Sequence, residues 1–249
     1  MSYDIIAPFY DTVMKHVDYT EWYDLIVRII RKFRIASPVS LLEIGAGTGT
    51  LGSMINENDD LFDYYGSDLC FNMALQAHKK NVALFCADGC RLPVKKQFDL
   101  VIFLYDGINY LASIDDYGRL FDSVARSLKC GGLFLFDITT RENSFSNFFD
   151  IFDYQEIRGT SIIRHSYYQP KKNIQKNDFL FFSPVDSREH LFFRQFETHS
   201  QKVFNPEQIR CSIPDEVFSC QGIWDGFSMK PSISTSERIH FLLKKISDD

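Results

Sequence analysis

Two spacings of apolar residues alternate along roughly the first 140 positions of the chain. Short, uninterrupted apolar runs stop at glycines or acidic residues, and between them apolar residues recur every three or four positions. The runs predict buried strands, and the intervening stretches predict amphipathic helices. Five strands are predicted, at residues 41–44, 62–68, 82–87, 98–105 and 133–138. Strands that alternate with helices predict a parallel sheet with helices on both faces.

Helices are predicted ahead of the sheet and between its strands. The first 38 residues predict a helical cap of two helices, and the second of these carries one apolar stripe at helical spacing. The members of the stripe are Tyr19, Trp22, Tyr23, Ile26, Ile30 and Phe33. Such a stripe is typical of a helix face that packs on the core. Further helices are predicted at residues 50–58 and 71–80, and after the acidic pair Asp115 and Asp116, which suits a helix N-terminus.

The helical spacing disappears between residues 144 and 204. Short aromatic runs alternate there with turn residues, for example at 169–173 and 183–186, and this pattern predicts antiparallel hairpins. The last run places apolar side chains on both faces of its strand, with Phe192 and Phe196 on one face and Leu191 and Phe193 on the other. We therefore expect burial on both sides of it. The three histidines of the segment are expected on strand surfaces: His165, His190 and His199.

The main scaffold resumes at residue 205. A helix start at Asn205 and Pro206 precedes two further predicted strands, near 218–227 and 237–245, which would complete the sheet as an antiparallel pair. Three units are therefore expected: a helical cap over residues 1–38, a main domain over 39–143 and 205–249, and a β insert over 144–204. The insert would act as a substrate lid or as a contact between copies of the chain.

Composition narrows the class of protein. A chain of 249 residues with 45% hydrophobic content can bury a full core. No apolar run approaches the ~20 residues that a membrane helix needs, and the start of the chain lacks a basic signal-peptide region, so a cytoplasmic location is expected. Six scattered cysteines indicate neither a metal site nor a disulfide framework. A net charge of -6 disfavours nucleic acid as a partner.

A glycine-rich turn after the first strand indicates a nucleotide-like ligand. Residues 47–52 satisfy the dinucleotide pattern G-x-G-x-x-G, but a second register begins at Gly45, directly after the strand, and includes Glu43. The second register, E-x-G-x-G-x-G, resembles motif I of the class I S-adenosylmethionine-dependent methyltransferases. Glu43 has no function in the dinucleotide pattern, and we therefore favour the methyltransferase register.

The resemblance extends beyond the glycine turn. The opening segment 3–11 resembles the Y-D-x-x-A-x-x-Y-D start of many small-molecule methyltransferases, in which it folds over the cofactor. Asp68 closes the second strand, where a carboxylate binds ribose hydroxyls in both cofactor families. Asp88 follows the third strand, as does the acidic residue that receives the adenine amino group in the methyltransferases. The resemblance implies a seven-stranded, mostly parallel, Rossmann-like sheet with helices on both faces, and an antiparallel β insert between the fifth strand and the last helix.

The resemblance also implies roles for individual residues. The expected contacts of S-adenosylmethionine, and of its product S-adenosylhomocysteine, are Tyr10, Glu43, Gly45, Ala46, Gly47, Asp68, Leu69, Asp88, Gly89, Leu104 and Tyr105. The expected catalytic residues are Tyr10, Asp106 and Tyr110. The expected substrate contacts are Tyr19, Asn109, Tyr110 and Arg194. No metal is expected.

An aromatic and acidic site favours one reaction, N-methylation of a small molecule. Aromatic faces stabilise a cationic donor or amine, and Asp106 could orient the amine or accept its proton. A homodimer through the β insert is also expected. Three alternatives stay open: a methyltransferase that acts on RNA or protein, a regulatory protein that binds the cofactor without catalysis, and a nicotinamide oxidoreductase.

Overall fold

The structure, a computed structural model, describes residues 3–58, 60–95, 97–185 and 191–247. The α-helices of the described residues are α1 Tyr10–Val13, α2 Tyr19–Phe33, α3 Thr50–Asn58, α4 Phe71–His78, α5 Ile114–Ser127, α6 Arg141–Asn147 and α7 Pro206–Ser212. The strands are β1 Val39–Ile44, β2 Phe62–Asp68, β3 Leu84–Cys86, β4 Phe98–Phe103, β5 Leu128–Thr139, β6 Asp150–Ile157, β7 Thr160–Gln169, β8 Ile174–Pro184, β9 Phe192–Lys202, β10 Phe218–Asp225, β11 Lys230–Pro231 and β12 Arg238–Lys245. Among the described residues, no helix is long and apolar enough to cross a membrane.

The main sheet has the strand order β11-β10-β12-β5-β4-β1-β2-β3. Strands β1 to β5 run parallel to one another, and β12 and β10 are antiparallel to their neighbours. Helices α2, α3 and α4 pack on one face, and α5 and α7 pack on the other. This arrangement confirms the expected Rossmann-like sheet. The sheet has eight strands rather than seven, because the two-residue β11 extends its antiparallel edge.

Several boundaries follow the sequence pattern and others do not. Strand β2 and helix α3 lie at the residues that their apolar patterns predict. The fifth strand begins earlier than the predicted residue 133, because residues 129–132 already belong to β5. Gly131 has a φ of +83° there, and the register between β4 and β5 shifts beside it. Helix α6 was missed because it carries no apolar stripe; it begins where the Thr140 side chain accepts a hydrogen bond from the Asn143 N–H group.

The insert forms a separate four-stranded antiparallel sheet in the order β6-β7-β8-β9, which confirms the predicted hairpins. One face of it, the inner face, packs on the N-terminal segment through Ile162, Phe179 and Phe181. Among the described residues, the other, outer face carries exposed aromatic side chains, including Phe152, Tyr154 and Phe196. The expectation that the start of β9 is buried on both sides is wrong. The side chains of Phe192 and Phe193 lie on opposite faces and are 54% and 60% exposed. The rest of the molecule covers the inner face of this strand only from residue 197 onward.

One ring separates the two loops that flank the carboxyl end of β4. A Cβ atom added at Gly45 would lie 2.8 Å from Cε2 of Phe103, and one added at Gly107 would collide with the same atom. Gly45 follows β1, and Gly107 opens the 3₁₀ turn after β4. The Phe103 ring therefore fills the space between the two loops that carry the site.

Candidate functional site

A cavity of about 370 Å³ opens at the carboxyl ends of β1, β2, β3 and β4. This is the edge at which open α/β sheets bind ligands. Residues from the N-terminal segment and α2 complete its walls. The predicted site residues that line it are Tyr10, Tyr19, Glu43, Gly45, Ala46, Gly47, Asp68, Leu69, Asp88, Gly89, Leu104, Tyr105 and Tyr110.

The glycine turn gives the cavity its floor. The N–H group of Gly47 donates a hydrogen bond to Oδ2 of Asp68 over 2.8 Å, which joins the turn to the end of β2. Gly47 has a φ of +58°, and a Cβ atom there would meet nothing within 4 Å. At Gly45 and Gly49 a Cβ atom would instead press on neighbouring side chains. Gly45 and Gly49 are therefore required for packing, whereas Gly47 keeps open space on the cavity side.

Two buried carboxyl groups lie beside this turn. Oε2 of Glu43 accepts a hydrogen bond from the Tyr64 hydroxyl over 2.5 Å, and burial raises the pKa of Glu43 to about 7. Burial also raises the pKa of Asp68, although the N–H groups of Cys70 and Gly47 donate to its two oxygens and oppose the rise. Burial therefore disfavours the charged form of both carboxyl groups, and a polar or cationic ligand beside them would stabilise that form.

The far end of the cavity lies at the end of β3. Asp88 accepts a hydrogen bond from the Cys90 N–H group over 2.9 Å and so fixes the short 3₁₀ turn that begins at Gly89. Leu69, from the end of β2, lies at the rim with 57% of its surface exposed. Successive strands thus present Glu43, Asp68 and Asp88 along one edge of the sheet.

The N-terminal segment covers the opposite end. Both carboxylate oxygens of Glu197, on β9, accept hydrogen bonds from it, from the N–H of Tyr3 over 2.7 Å and from the N–H of Ile5 over 2.6 Å. On the other side, Asp11 pairs with Nζ of Lys80 over 2.7 Å. The segment therefore folds over the cavity, held by the insert and by the end of the α4 region.

Six aromatic side chains cluster at this covered end: Tyr3, Tyr10, Tyr19, Trp22, Tyr105 and Tyr110. The Tyr3 ring lies 5.8 Å from Tyr10 and 5.7 Å from Tyr110, and Trp22 lies 6.1 Å from Tyr105. Burial raises the pKa of Tyr10, Tyr19, Tyr105 and Tyr110, so these phenols are neutral near pH 7. Sequence reasoning missed Tyr3 and Trp22 as residues that line the cavity. Trp22 belongs to the apolar stripe of α2, and the sequence of a helix face that packs on the core does not differ from that of one that faces a cavity.

Asp106 lies next to the cavity but is held by other groups. Its Oδ1 accepts from Nη2 of Arg238 over 2.9 Å, and its Oδ2 accepts from Nε2 of Gln201 over 2.5 Å. Arg238 also pairs with the fully buried Asp137. Asp106 has a φ of +48°. Both of its carboxylate oxygens are thus engaged, and it does not line the cavity wall.

Two expected substrate contacts lie away from the cavity. Asn109 is fully buried and bonds backbone groups at both ends, donating to the carbonyl of Lys202 and accepting from the N–H of Thr139. It therefore joins β5 to β9. Arg194 is exposed on the outer face of the insert, so the structure does not bring it to the other site residues.

The expected surface position of His199 is wrong. His199 is 3% exposed on the inner face, where Nε2 is hydrogen-bonded to Glu197 and Nδ1 lies 3.4 Å from the Tyr110 hydroxyl. His165 lies on the outer face, 2.7 Å from Asp150. His190 lies outside the described residues. The strand pattern alone did not show which face the N-terminal segment would cover.

Residues 41–132 match the family described as "Methyltransferase domain". The whole chain resembles an inferred methyltransferase of Geobacillus sp. (strain WCH70), with 25% identity over 98% of this chain and 100% of that protein. A solved S-adenosylmethionine-dependent methyltransferase from Clostridium acetobutylicum ATCC 824 has a TM-score of 0.79 and 23% identity, over 97% of this chain and 98% of that one. The sugar N-methyltransferase KedS8 from Streptoalloteichus sp ATCC 53650 has a TM-score of 0.74 and 19% identity, over 93% and 91%. At these identities, the two solved structures show a shared fold.

Proposed function

We propose that this chain is a class I S-adenosylmethionine-dependent methyltransferase that transfers the methyl group of that cofactor to an amine of a small molecule. The observation that supports the amine most directly is the aromatic cluster at the covered end of the cavity. Six neutral rings there offer π-faces to a cation, and the sulfonium of the cofactor and the protonated form of an amine are both cations that such faces attract.

The residues at the other end fit the cofactor. The space that a Cβ atom of Gly47 would occupy leaves room for the amino-acid half of S-adenosylmethionine beside the glycine turn. In this proposal Asp68 accepts the ribose hydroxyls, and Asp88 with Gly89 holds the adenine. The bound cofactor supplies an activated methyl group on sulfur. The protein contributes proximity, alignment and exclusion of water, and the N-terminal segment with the rings of Tyr10 and Tyr110 provides these at the reacting end.

The covered position of the acceptor end favours a small molecule over a polymer. The N-terminal segment and the insert lie across it and leave a cavity of about 370 Å³ for donor and acceptor together. A net charge of -6 also opposes a long polyanion. KedS8 is named a sugar N-methyltransferase, which supports the same acceptor class for this fold.

A screen for release of S-adenosylhomocysteine tests this function. The full chain is incubated with S-adenosylmethionine and with separate panels of aliphatic amines, carboxylic acids and alcohols, and with RNA and an unfolded protein as polymer acceptors. We expect turnover with members of the amine panel. Turnover restricted to RNA or protein would contradict the proposal, and so would cofactor binding without turnover on any panel, which is the behaviour of a regulatory protein.

We also propose that the outer face of the insert binds a second copy of the chain. One row across the sheet is apolar in every strand: Tyr154, Ile163, Leu180 and Phe196. Tyr154 and Phe196 are 60% and 54% exposed, and neighbouring Phe152 is 69% exposed. Ile163 and Leu180 between them are partly exposed. An apolar row of this kind is typical of a protein contact, and the face of one copy can pair with the same face of a second about a two-fold axis.

A further inference from the structure

A chain of hydrogen bonds leads from the acceptor end of the cavity to a buried histidine. The hydroxyls of Tyr3 and Tyr110, which both line the cavity, are 2.6 Å apart. The Tyr110 hydroxyl is 3.4 Å from Nδ1 of His199, and Nε2 of His199 is hydrogen-bonded to Glu197. Four side chains from three separate parts of the chain therefore form one connected path.

Glu197 determines which nitrogen of His199 can accept a proton. Burial raises the pKa of Glu197, but the hydrogen bond from His199 and the N–H groups of Ile5 and Tyr3 outweigh burial and lower it. The group is therefore a carboxylate, which only accepts hydrogen bonds, so Nε2 of His199 carries the proton. Nδ1 then presents its lone pair to the Tyr110 hydroxyl. Nδ1 is thus oriented as the proton-accepting nitrogen toward the cavity.

The titratable groups that face His199 come from every element packed around it. Tyr3 lies on the N-terminal segment with its ring 4.1 Å from the imidazole, Tyr110 lies on the turn after β4, and Glu197 lies on the same strand. Phe179 and Asn177, the neighbours on β8, do not titrate. One carboxylate and two phenols therefore lie against the imidazole.

We propose that Tyr110 and His199 remove the proton that an acceptor amine carries when it binds as an ammonium ion. This inference rests on the proposed function. The N–H bond of the ammonium breaks with its electron pair left on nitrogen, and the proton passes to the Tyr110 oxygen as the Tyr110 proton passes to Nδ1 of His199. The free nitrogen then attacks the methyl carbon, and the pair of the breaking C–S bond stays on sulfur. Tyr110 contacts the substrate, whereas His199 acts through it as a positioning residue.

The two carboxylates nearest to this path are less suitable proton acceptors. Asp106 is engaged by Arg238 and Gln201 through both of its oxygens and lies outside the cavity wall. Glu197 does not line the cavity, and its oxygens already accept from the N-terminal segment and from His199. A proton acceptor must reach the acidic hydrogen directly or through one intermediate, and the path through Tyr110 does so at the covered end of the cavity.

The pH dependence of kcat for His199→Gln tests the relay. With a saturating aliphatic amine from the screen, whose pKa is about 10, the variant lacks an acceptor for the ammonium proton. We expect kcat to fall about 100-fold at pH 7 and to climb with pH until it approaches the wild-type value near pH 10. Wild-type kcat should be nearly constant over the same range. A defect in packing alone would lower kcat by a similar factor at every pH.

Two further variants keep the test decisive. Tyr110→Phe breaks the path at its first step without altering His199, and it should show the same recovery at high pH even if the His199 variant folds poorly. His78→Gln removes an exposed histidine at the end of α4, away from the cavity and from the outer face of the insert, and should leave the pH profile unchanged. A pH-independent loss in both His199→Gln and Tyr110→Phe overturns the relay. Failure of the wild-type chain to methylate any amine overturns the proposed function itself.

Discussion

Nη2 of Arg238 lies 2.9 Å from Oδ1 of Asp106, although 132 positions separate the two residues. The same guanidinium pairs with Asp137 and lies over the rings of Trp22 and Tyr105, 5.3 and 5.2 Å from their centres. Burial lowers the pKa of Arg238, but the carboxylates of Asp137 and Asp106 raise it more, so the cation is permanent. The ion pair therefore joins β12 to the loop after β4 and supports two rings of the cavity.

Replacing Arg238 with methionine should destabilise the fold strongly. The substitution leaves Asp106 and Asp137 facing each other without a counter-ion, and breaking a buried pair in this way costs about 3–5 kcal/mol. Urea unfolding gives the change in the free energy of unfolding. Arg119→Met is the matched control, because its pair with Asp116 is exposed and contributes under about 1 kcal/mol. Equal losses in the two variants would show that the buried network does not stabilise the chain.

Gly47→Leu should abolish binding of S-adenosylmethionine. Its side chain would enter the open space above the turn, and the positive φ would add about 1–2 kcal/mol of strain. Calorimetric titration with the cofactor measures the loss. Gly226→Leu separates the two effects, since Gly226 also has a positive φ and no neighbour within 4 Å but lies outside the cavity wall. Retained cofactor binding in the Gly47 variant would place the ligand elsewhere.

Glu43→Gln should make the chain more stable than wild type above neutral pH. Because burial raises the pKa of Glu43 from 4.5 to about 7, its contribution to stability is full below 4.5 and is lost as the pH rises through 7. The loss is roughly 3 kcal/mol at most. Glutamine keeps an acceptor for Tyr64 and does not ionise. The free energy of unfolding of the variant should rise relative to that of wild type between pH 5 and pH 8. Glu57→Gln, at an exposed position, is the control. No relative change between the two pH values would contradict the assignment.

Phe196→Asp should convert a dimer into a monomer. Phe196 lies in the apolar row of the outer face, and a charge there would be buried without a partner in the contact. Light scattering coupled to gel filtration should give twice the chain mass of 29.0 kDa for wild type and a single chain mass for the variant. Phe193→Asp lies on the opposite face of the same strand with similar exposure, 60% against 54%, and should remain dimeric. A wild-type monomer would refute the contact.

The parallel sheet and the meeting of Gly45, Asp68 and Asp88 at one cavity were predictable because both depend on short-range sequence patterns. The apolar pattern locates the ends of β1, β2 and β3 within a few residues, and these ends carry Gly45, Asp68 and Asp88. Since the ends of parallel strands meet at one edge, their assembly follows from the fold.

The acceptor end was less predictable because it depends on long-range partners. Arg238 neutralises Asp106, and His199 reaches Tyr110 across 89 positions, so no local pattern shows either contact. The burial of His199 depends on the N-terminal segment, which Glu197 holds by its backbone N–H groups, and backbone groups carry no sequence signal. The expected burial of the aromatic residues at the start of β9 was wrong for a related reason. Apolar residues predict a buried surface, but they do not show which other surface covers it.

The Phe103 ring between Gly45 and Gly107 makes three positions depend on one another. The backbone at Gly107 does not have a positive φ, so the ring alone excludes a side chain there. A smaller residue at position 103 would leave room for a Cβ atom at position 107. Alanine at 107 would then be acceptable. Among natural relatives, glycine at 107 should accordingly covary with an aromatic residue at 103. The distance between the loop at position 45 and the loop at position 107 should change together with these two residues.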